Sequence, residues 1–386
     1  MRLFSAKSAE NKLYIYRING AIMPKYIYQY PSWPAMTWND ASFRLVLGEI
    51  RHLQGKLLGR MESLGFVVQK ETLLKMITRD VVTTAEIEGE KLNEALVRSS
   101  VAKQLGLPFA GVKNKNRAIE GIVQMMLNAT QHYQKPMTKK RLFEWHSLLF
   151  PAERWSVYSI DIGTFRREEM QIVSGPLGKE QLHYEAISSK KVPQEMTAFL
   201  SWCNKKQDID PVVKAAVAHF WFIIIHPFDD GNGRIGRAIS DLFLCRADAS
   251  SERYYSLSEQ MLIERKSYYA ILKKVQHSEG DITPWIHWFL QCLKNAVLFS
   301  LNTLDALAEK TNFWHKHELT PMNERQRKMI HLLYDGFDGH LKSSKWAKMM
   351  KCSPDTALRD INDLIAKGIL EQQTSGGRST HYVLLK

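Results

Sequence analysis

The sequence predicts a mainly α-helical protein with one small β-hairpin flap in its middle and a separate unit at its C-terminus. Three observations carry this. Helical periodicity dominates from about residue 40 to 310, with few alternating stretches. Residues 171–186 break that trend with two short runs around Gly175-Pro176-Leu177-Gly178, which read as a hairpin. After a polar stretch from Glu309 to Asn323, a shorter cycle of helices begins. With 386 residues, 45% of them hydrophobic, the chain can bury a large core and divide into more than one domain.

Residues 1–22 are expected to be an extension. Their apolar stretch, Leu13 to Ile22, is broken by Arg17 and Asn19 and leads to no cleavage site, whereas Met23-Pro24-Lys25-Tyr26 resembles an ordinary start. Residues 26–38, rich in Tyr and Trp and carrying Pro31 and Pro34, predict an extended segment packed on the body. A helix from about Phe43 to Leu64 follows and stops at Gly65. The expected domains are 23–105, helical; 106–310, carrying the chemistry; and 321–386. In a helical protein a lone hairpin is marginal unless it packs on something, so 171–186 is a candidate flap.

Within 321–386, Arg325–Tyr334 and Ser344–Lys351 predict two helices. Ser353 as N-cap and Pro354 at the first helical position start a third, with Leu358, Ile361, Leu364 and Ile365 as its buried stripe and Gly368 at its end. Two strands around Ser375-Gly376-Gly377-Arg378 complete what resembles a winged helix-turn-helix. The unit holds 11 Lys+Arg against 7 Asp+Glu, a mild +4, and Arg359, Asn362 and Arg378 are placed to read bases and phosphates. DNA is therefore an open partner, and a transcription regulator working through this unit is the rival reading.

The whole chain carries +13, which suits an acidic partner but equally a surface of dispersed lysines. No apolar run reaches the roughly 18 residues of a membrane span. Cys203, Cys245, Cys292 and Cys352 lie far apart without metal-ligand spacing, the pattern of reduced thiols in a cytoplasmic protein.

The chemistry concentrates in His226-Pro227-Phe228-Asp229-Asp230-Gly231-Asn232-Gly233-Arg234-Ile235-Gly236-Arg237. Val212 to Ile225 before it is apolar on nearly every face, and Ile235, Ala238, Ile239, Leu242 and Phe243 after it form an amphipathic stripe. The run is thus a tight loop between two core helices. Gly231 and Gly233 let a ligand approach the main chain, and the free N–H groups of the next helix attract an anion. Arg234 and Arg237, at i and i+3, can fork onto phosphate oxygens. Asp230 offers the single carboxylate that a phosphate-bound Mg²⁺ takes from protein. His226 stands at the entrance as a base.

This run resembles, at every position, the Fic-family signature His-x-Phe-x-Asp/Glu-Gly-Asn-Gly-Arg-x-x-Arg. The likeness extends from about Tyr26 to Leu290, through Gly163-Thr164-Phe165-Arg166 and Thr283-Pro284-Trp285-Ile286, and the Tyr-rich start with Trp33 and Trp38 resembles an uncharacterised domain joined to bacterial Fic domains. The resemblance implies a Fic-type helical bundle that transfers AMP from ATP to a Ser, Thr or Tyr hydroxyl of a target protein, the chain itself included. It implies that His226 deprotonates the hydroxyl and Asp230 binds Mg²⁺. Asn232, Arg234 and the amides of Gly231 and Gly233 hold phosphates, Arg237 takes the γ-phosphate, and Phe228 anchors the loop. Ile172 and Val173 of the flap dock an extended target segment, and Tyr268, Tyr269 and Gln276 line the adenine pocket. Related chemistries, transfer of another phosphate-linked group or removal of AMP, keep the same fold. The resemblance calls for no membrane and specifies no oligomeric state.

Upstream, Thr84, Glu88 and Gly89 match the family's inhibitory pattern Ser/Thr-x-x-x-Glu-Gly/Asn, as in class II members with an N-terminal inhibitory helix. The resemblance implies that Glu88 pairs with Arg237 and denies it to the γ-phosphate. Glu86 and Glu90 are neighbouring carboxylates that compete for this assignment.

Overall fold

A central helix, buried almost all round, organises the first and larger part of the chain. The structure, a computed structural model, describes residues 3–4, 17–18, 21–22, 24–107, 116–151, 160–174, 181–334, 337–373 and 380–385. It separates into two units, Met1–Ser300 and Leu301–Lys386. In chain order, strands β1 (Leu3–Phe4), β2 (Arg17–Ile18) and β3 (Ala21–Ile22) precede helices α1 (Arg44–Glu62), α2 (Phe66–Ile87), α3 (Glu94–Gln104), α4 (Arg117–Gln131) and α5 (Lys139–Leu149). Then come β4 (Gln171–Ser174), β5 (Gln181–Glu185), α6 (Val192–Asn204), α7 (Pro211–Ile225), α8 (Asn232–Asp248), α9 (Leu257–Ile263), α10 (Arg265–Val275) and α11 (Thr283–Lys316). Among the described residues, no helix is long and apolar enough to cross a membrane. The four cysteines are free thiols.

The central helix is α7. It starts where the Asp210 carboxylate caps the Val212 N–H at 2.7 Å, with Pro211 at the first helical position. Its residues Val212, Ala215, Ala216, Phe220, Phe222 and Ile225 are at most 1% exposed. The most extensive helix–helix contact runs between α7 and α8, and Ile235, Ala238, Ile239 and Leu242 of α8 are fully buried. Trp285, at the start of α11, is buried too, and its indole N–H donates to the Ala216 carbonyl of α7 at 2.8 Å.

The predicted hairpin exists as β4 and β5, antiparallel, with Ile172 opposite Tyr184 and Val173 opposite Leu182; the register shifts between Ile172 and Val173. Its turn, including Gly175 to Gly178, lies outside the described residues. β1 adds to the other edge of β4, Leu3 opposite Ile172 and Phe4 opposite Gln171, so the extension contributes a third strand. The segment 26–38 is not extended as expected. A 3-10 turn at Ile27–Gln29 buries Tyr26 and Ile27, and the Gln29 side chain accepts from the Lys25 and Tyr26 N–H groups to hold it.

The second unit contains α12 (Glu324–Tyr334), α13 (Ser343–Met350), α14 (Pro354–Ala366) and a hairpin of β6 (Leu370–Gln373) with β7 (His381–Leu384). Ser353 caps α14 by accepting from the Thr356 N–H at 3.2 Å. Met329, Ile330, Trp346, Ile361 and Leu364 form its core. Leu358 does not belong to the buried stripe. It is 43% exposed, because the inward face runs through Ala357, Ile361 and Leu364 and Leu358 lies one residue round the helix. Ile365 is only partly buried, Arg359 and Asn362 are exposed, and Arg378 falls outside the described residues.

Candidate active site

The loop between α7 and α8 is held from three directions. His226 ends α7 in the left-handed region, φ 50° and ψ 60°, with its N–H on the Phe222 carbonyl at 3.0 Å. A non-glycine residue there costs about 1–3 kcal/mol and persists only where its surroundings enforce it. Arg166, which the sequence offers only as the end of Gly163-Thr164-Phe165-Arg166, supplies that enforcement. Its Nε donates to the His226 carbonyl at 2.8 Å, its backbone N–H to the Pro227 carbonyl at 2.9 Å, and its remaining nitrogens to the carbonyls of Glu168 and Ile187. From inside, Asn232 spans the loop, donating to the Phe228 carbonyl at 2.7 Å and accepting from the Phe228 N–H at 3.0 Å. Its side chain therefore closes the loop. From below, Phe228 is fully buried and stacks on His146, ring centres 4.3 Å apart.

This frame aims the imidazole. Nδ1 of His226 lies 3.3 Å from the Ile223 carbonyl, which can only accept, so Nδ1 carries the hydrogen and Nε2 is left with a lone pair. Burial, helped by the Arg166 charge, outweighs the Ile223 hydrogen bond and Glu88 and lowers its pKa to about 4. The ring is neutral at pH 7.

A cavity of about 1050 Å³ opens in front of it. The loop contributes His226, Asp230, Gly231, Asn232, Gly233 and Arg234 to its lining; α10 and its C-terminal end contribute Tyr268, Tyr269 and Gln276. The hairpin presents Ile172 and His183, whereas Val173 and Thr84 are buried outside the lining. Tyr268 is fixed from behind, its hydroxyl 3.0 Å from His219 Nε2 and its ring against Trp285 and Trp288. Gln276 ties this wall to the hairpin by donating to the His183 carbonyl at 2.9 Å. Asp230 is 37% exposed, accepts from the Gly231 N–H and lies 3.6 Å from Arg234. Among the described residues there is no group of three or more His, Cys, Asp or Glu able to cage a metal. One exposed carboxylate is a donor set suited to Mg²⁺, which keeps water and phosphate ligands.

Arg237 does not reach the cavity. It is 1% exposed behind the end of α2, where Nε donates to Thr84 Oγ1 at 2.6 Å and Nη2 to the Thr84 carbonyl at 2.9 Å and Glu88 Oε1 at 2.8 Å. Glu88 is the C-cap of α2, and Gly89 follows at φ +85°, a conformation that suits glycine. The Gly89 N–H returns to Glu86 O at 2.9 Å and the Glu90 N–H to Ala85 O at 3.0 Å, a Schellman ending that fixes the direction of both carboxylates. Glu86 faces solvent. Burial would raise the Glu88 pKa, but the charge and hydrogen bond of Arg237, with Arg234 beyond, hold it below the usual carboxylate value.

One turn before Thr84, Asp80 seats α2 against α8. Arg253 bridges it to Asp241 of α8, at 3.3 Å and 2.7 Å, with all three side chains buried. Sequence reading gave no hint of this triad, since its members are 80, 241 and 253 in the chain and belong to no motif.

Residues 136–244 match the Fic/DOC family, and residues 26–107 match a domain of unknown function, DUF4172. The chain is 28% identical over 215 residues to a protein of Drosophila mojavensis named protein adenylyltransferase Fic, covering 55% of this chain and 38% of that one. It is 27% identical over 263 residues to the protein of the same name from Aedes aegypti, covering 64% and 48%. It thus spans less than half the length of these curated relatives. In fold, it is similar to the crystal structure of a Fic family protein from Desulfovibrio desulfuricans G20, with TM-score 0.50, 20% identity, and coverage of 89% of this chain and 96% of that one. Residues 136–244, with the loop complete at every position of the signature, form a Fic/DOC domain.

Proposed function

We propose that the chain is a protein adenylyltransferase, moving AMP from ATP onto a hydroxyl of a protein, and that Glu88 restrains it. The observation that carries this is the neutral, fixed imidazole of His226 facing a cavity whose floor is the glycine loop and the start of α8. The name shared by the relatives supports the same reaction.

In this reading Nε2 of His226 takes the proton from the attacking hydroxyl. The hydroxyl oxygen forms a bond to the α-phosphorus, the bond from that phosphorus to the bridging oxygen breaks, and diphosphate leaves. The amides of Gly231 and Gly233 and the Arg234 guanidinium cradle phosphate oxygens at the N-terminus of α8. Asp230 would hold Mg²⁺, which supplies neutralising charge to the phosphates when bound. Tyr269 and the cavity-facing edge of buried Tyr268 give adenine an aromatic wall, with Gln276 at its border. The target's extended segment takes the edge of β4 beside Ile172 that β1 fills in this structure, so β1 must give way before a hydroxyl is set near His226. Glu88, by occupying Arg237, removes the γ-phosphate's ligand, so ATP binds out of line for attack.

The test is mass spectrometry of the purified chain after incubation with ATP and Mg²⁺, using the Glu88→Gly variant to lift the restraint. A covalent gain equal to AMP on the chain or on an added protein is the expected result. ATP hydrolysis with no protein gain, or a gain of a different phosphate-linked group, sinks the assignment.

A further inference from the structure

The turn that ends α2 carries a second carboxylate in the cavity wall. Glu90 Oε2 lies 3.3 Å from Nη1 of Arg234, the first arginine of the loop, while Glu88 holds the second. We propose that Glu90 is a second arm of the restraint, engaging Arg234 as Glu88 engages Arg237, so that the resting site withholds both arginines from phosphate. This rests on reading the cavity as a nucleotide site.

The pairing follows from backbone geometry. The Schellman ending places Glu88 and Glu90 on either side of Gly89, and α8 presents Arg234 and Arg237 at i and i+3. Two carboxylates on one turn thus meet two guanidiniums on one helix face. Arg234 is 4% exposed, its guanidinium lying 5.2 Å from the Phe150 ring centre, with Asp230 3.6 Å from Nη2. Among the described residues its Nε is buried with no hydrogen-bond partner. A buried N–H of a charged group left unpaired is costly, so this donor suits an oxygen that the described residues do not provide. The charges point the same way. Glu88, Glu90 and Asp230 set three negative groups around two positive ones, and an incoming polyphosphate must overcome that surplus. An arginine already committed to a carboxylate must exchange that partner, or share it, before it can fork onto phosphate.

The two arms make different demands on the nucleotide. Only ATP has a γ-phosphate to compete with Glu88 for Arg237, whereas ADP as well as ATP presents the inner phosphates to Arg234. ADP therefore reports on Glu90 separately from Glu88.

Calorimetric titration of Mg²⁺-ADP into the full chain tests this with wild type, Glu90→Gln, Glu90→Ala and Glu88→Gln. Both Glu90 variants should bind ADP about fivefold tighter or more, the lower end of coupling between sites. Glu88→Gln should tighten ADP less than either Glu90 variant does, since its arginine faces no phosphate of ADP and only its share of the surplus charge is lost. Two substitutions guard against one that misfolds, and thermal melting of each identifies such a case. ADP affinity unchanged or weakened in the folded Glu90 variants overturns the proposal, the second result making Glu90 a support for Arg234. Failure of ADP to bind any variant overturns the nucleotide-site reading and the second arm with it. Binding without AMP transfer would remove only the transferase assignment.

Discussion

The loop around His226 and the hairpin opposite it bound the same cavity, yet they are built in contrasting ways. The loop is fixed by Arg166, Asn232 and a buried Phe228, each satisfying backbone groups or filling core, and it tolerates a left-handed non-glycine residue as a result. The hairpin pairs with β1 along β4, packs Tyr184 edge-on against Tyr26 and Tyr28, and is otherwise tied down by scattered hydrogen bonds: Tyr184 Oη to the Ile224 carbonyl at 2.8 Å, Tyr28 Oη to the Glu185 carbonyl at 3.0 Å, and Gln276 to the His183 carbonyl. In the proposed reaction, the difference puts fixed geometry where phosphates and base would meet, and give where a variable protein segment would be received. Loss of one attachment should therefore be severe on the loop side and mild on the hairpin side.

The largest expected effect is at the base. His226→Ala should lower AMP transfer by roughly 10²–10⁴-fold while nucleotide affinity stays close to wild type. Transfer at the wild-type rate would remove His226 from catalysis and leave the rigidity of its loop without a chemical purpose. Next in size is the restraint. Glu88→Gly should raise transfer by about 5–150-fold, the scale of a 1–3 kcal/mol bias. Arg237→Ala should gain nothing, and the double variant should behave like Arg237→Ala alone, the non-additivity of groups sharing one contact. An equal rise in the Arg237→Ala background would show that Glu88 acts on something else. The smallest effect belongs to the hairpin. Tyr28→Phe removes one half-buried hydrogen bond, worth about 0.5–1.5 kcal/mol, and should raise KM for the protein target with kcat and ATP affinity nearly unchanged. A kcat loss comparable to that of His226→Ala would erase the contrast between the two walls.

The same contrast explains what the sequence made legible. The loop's chemistry occupies twelve consecutive positions between two strongly patterned helices, so type, spacing and burial could all be read locally. The hairpin's existence was also local, since alternation and a Gly-Pro turn interrupt helical periodicity. Arg166 and the Asp80–Arg253–Asp241 triad were not legible, because their partners are distant in the chain and no spacing rule links them. In segment 26–38 the prolines and aromatics argue against a regular helix but leave open the 3-10 turn that the chain forms at Ile27–Gln29. Leu358 was placed inside because it fits the spacing of a stripe; only packing decides which of two adjacent helix faces, its own or that of Ala357, turns inward. The sequence pattern selects Glu88 and leaves Glu90 as a rival for the same role; the turn at Gly89 aims each at a different arginine.

Gly233 has a consequence for how the restraint scales. A Cβ built there would collide with Glu88 Oε1, so the missing side chain leaves room that an internal carboxylate fills. That carboxylate is a tethered competitor. In the nucleotide-site reading, its strength is an effective concentration set by the stiffness of the end of α2, and very little by intrinsic affinity. Raising free ATP is then a poor remedy, because a ligand from solution contends with one that never diffuses away. Loosening the tether is a good one, and any contact that frays the last turn of α2 would tune activity by degrees while leaving every residue of the loop in place.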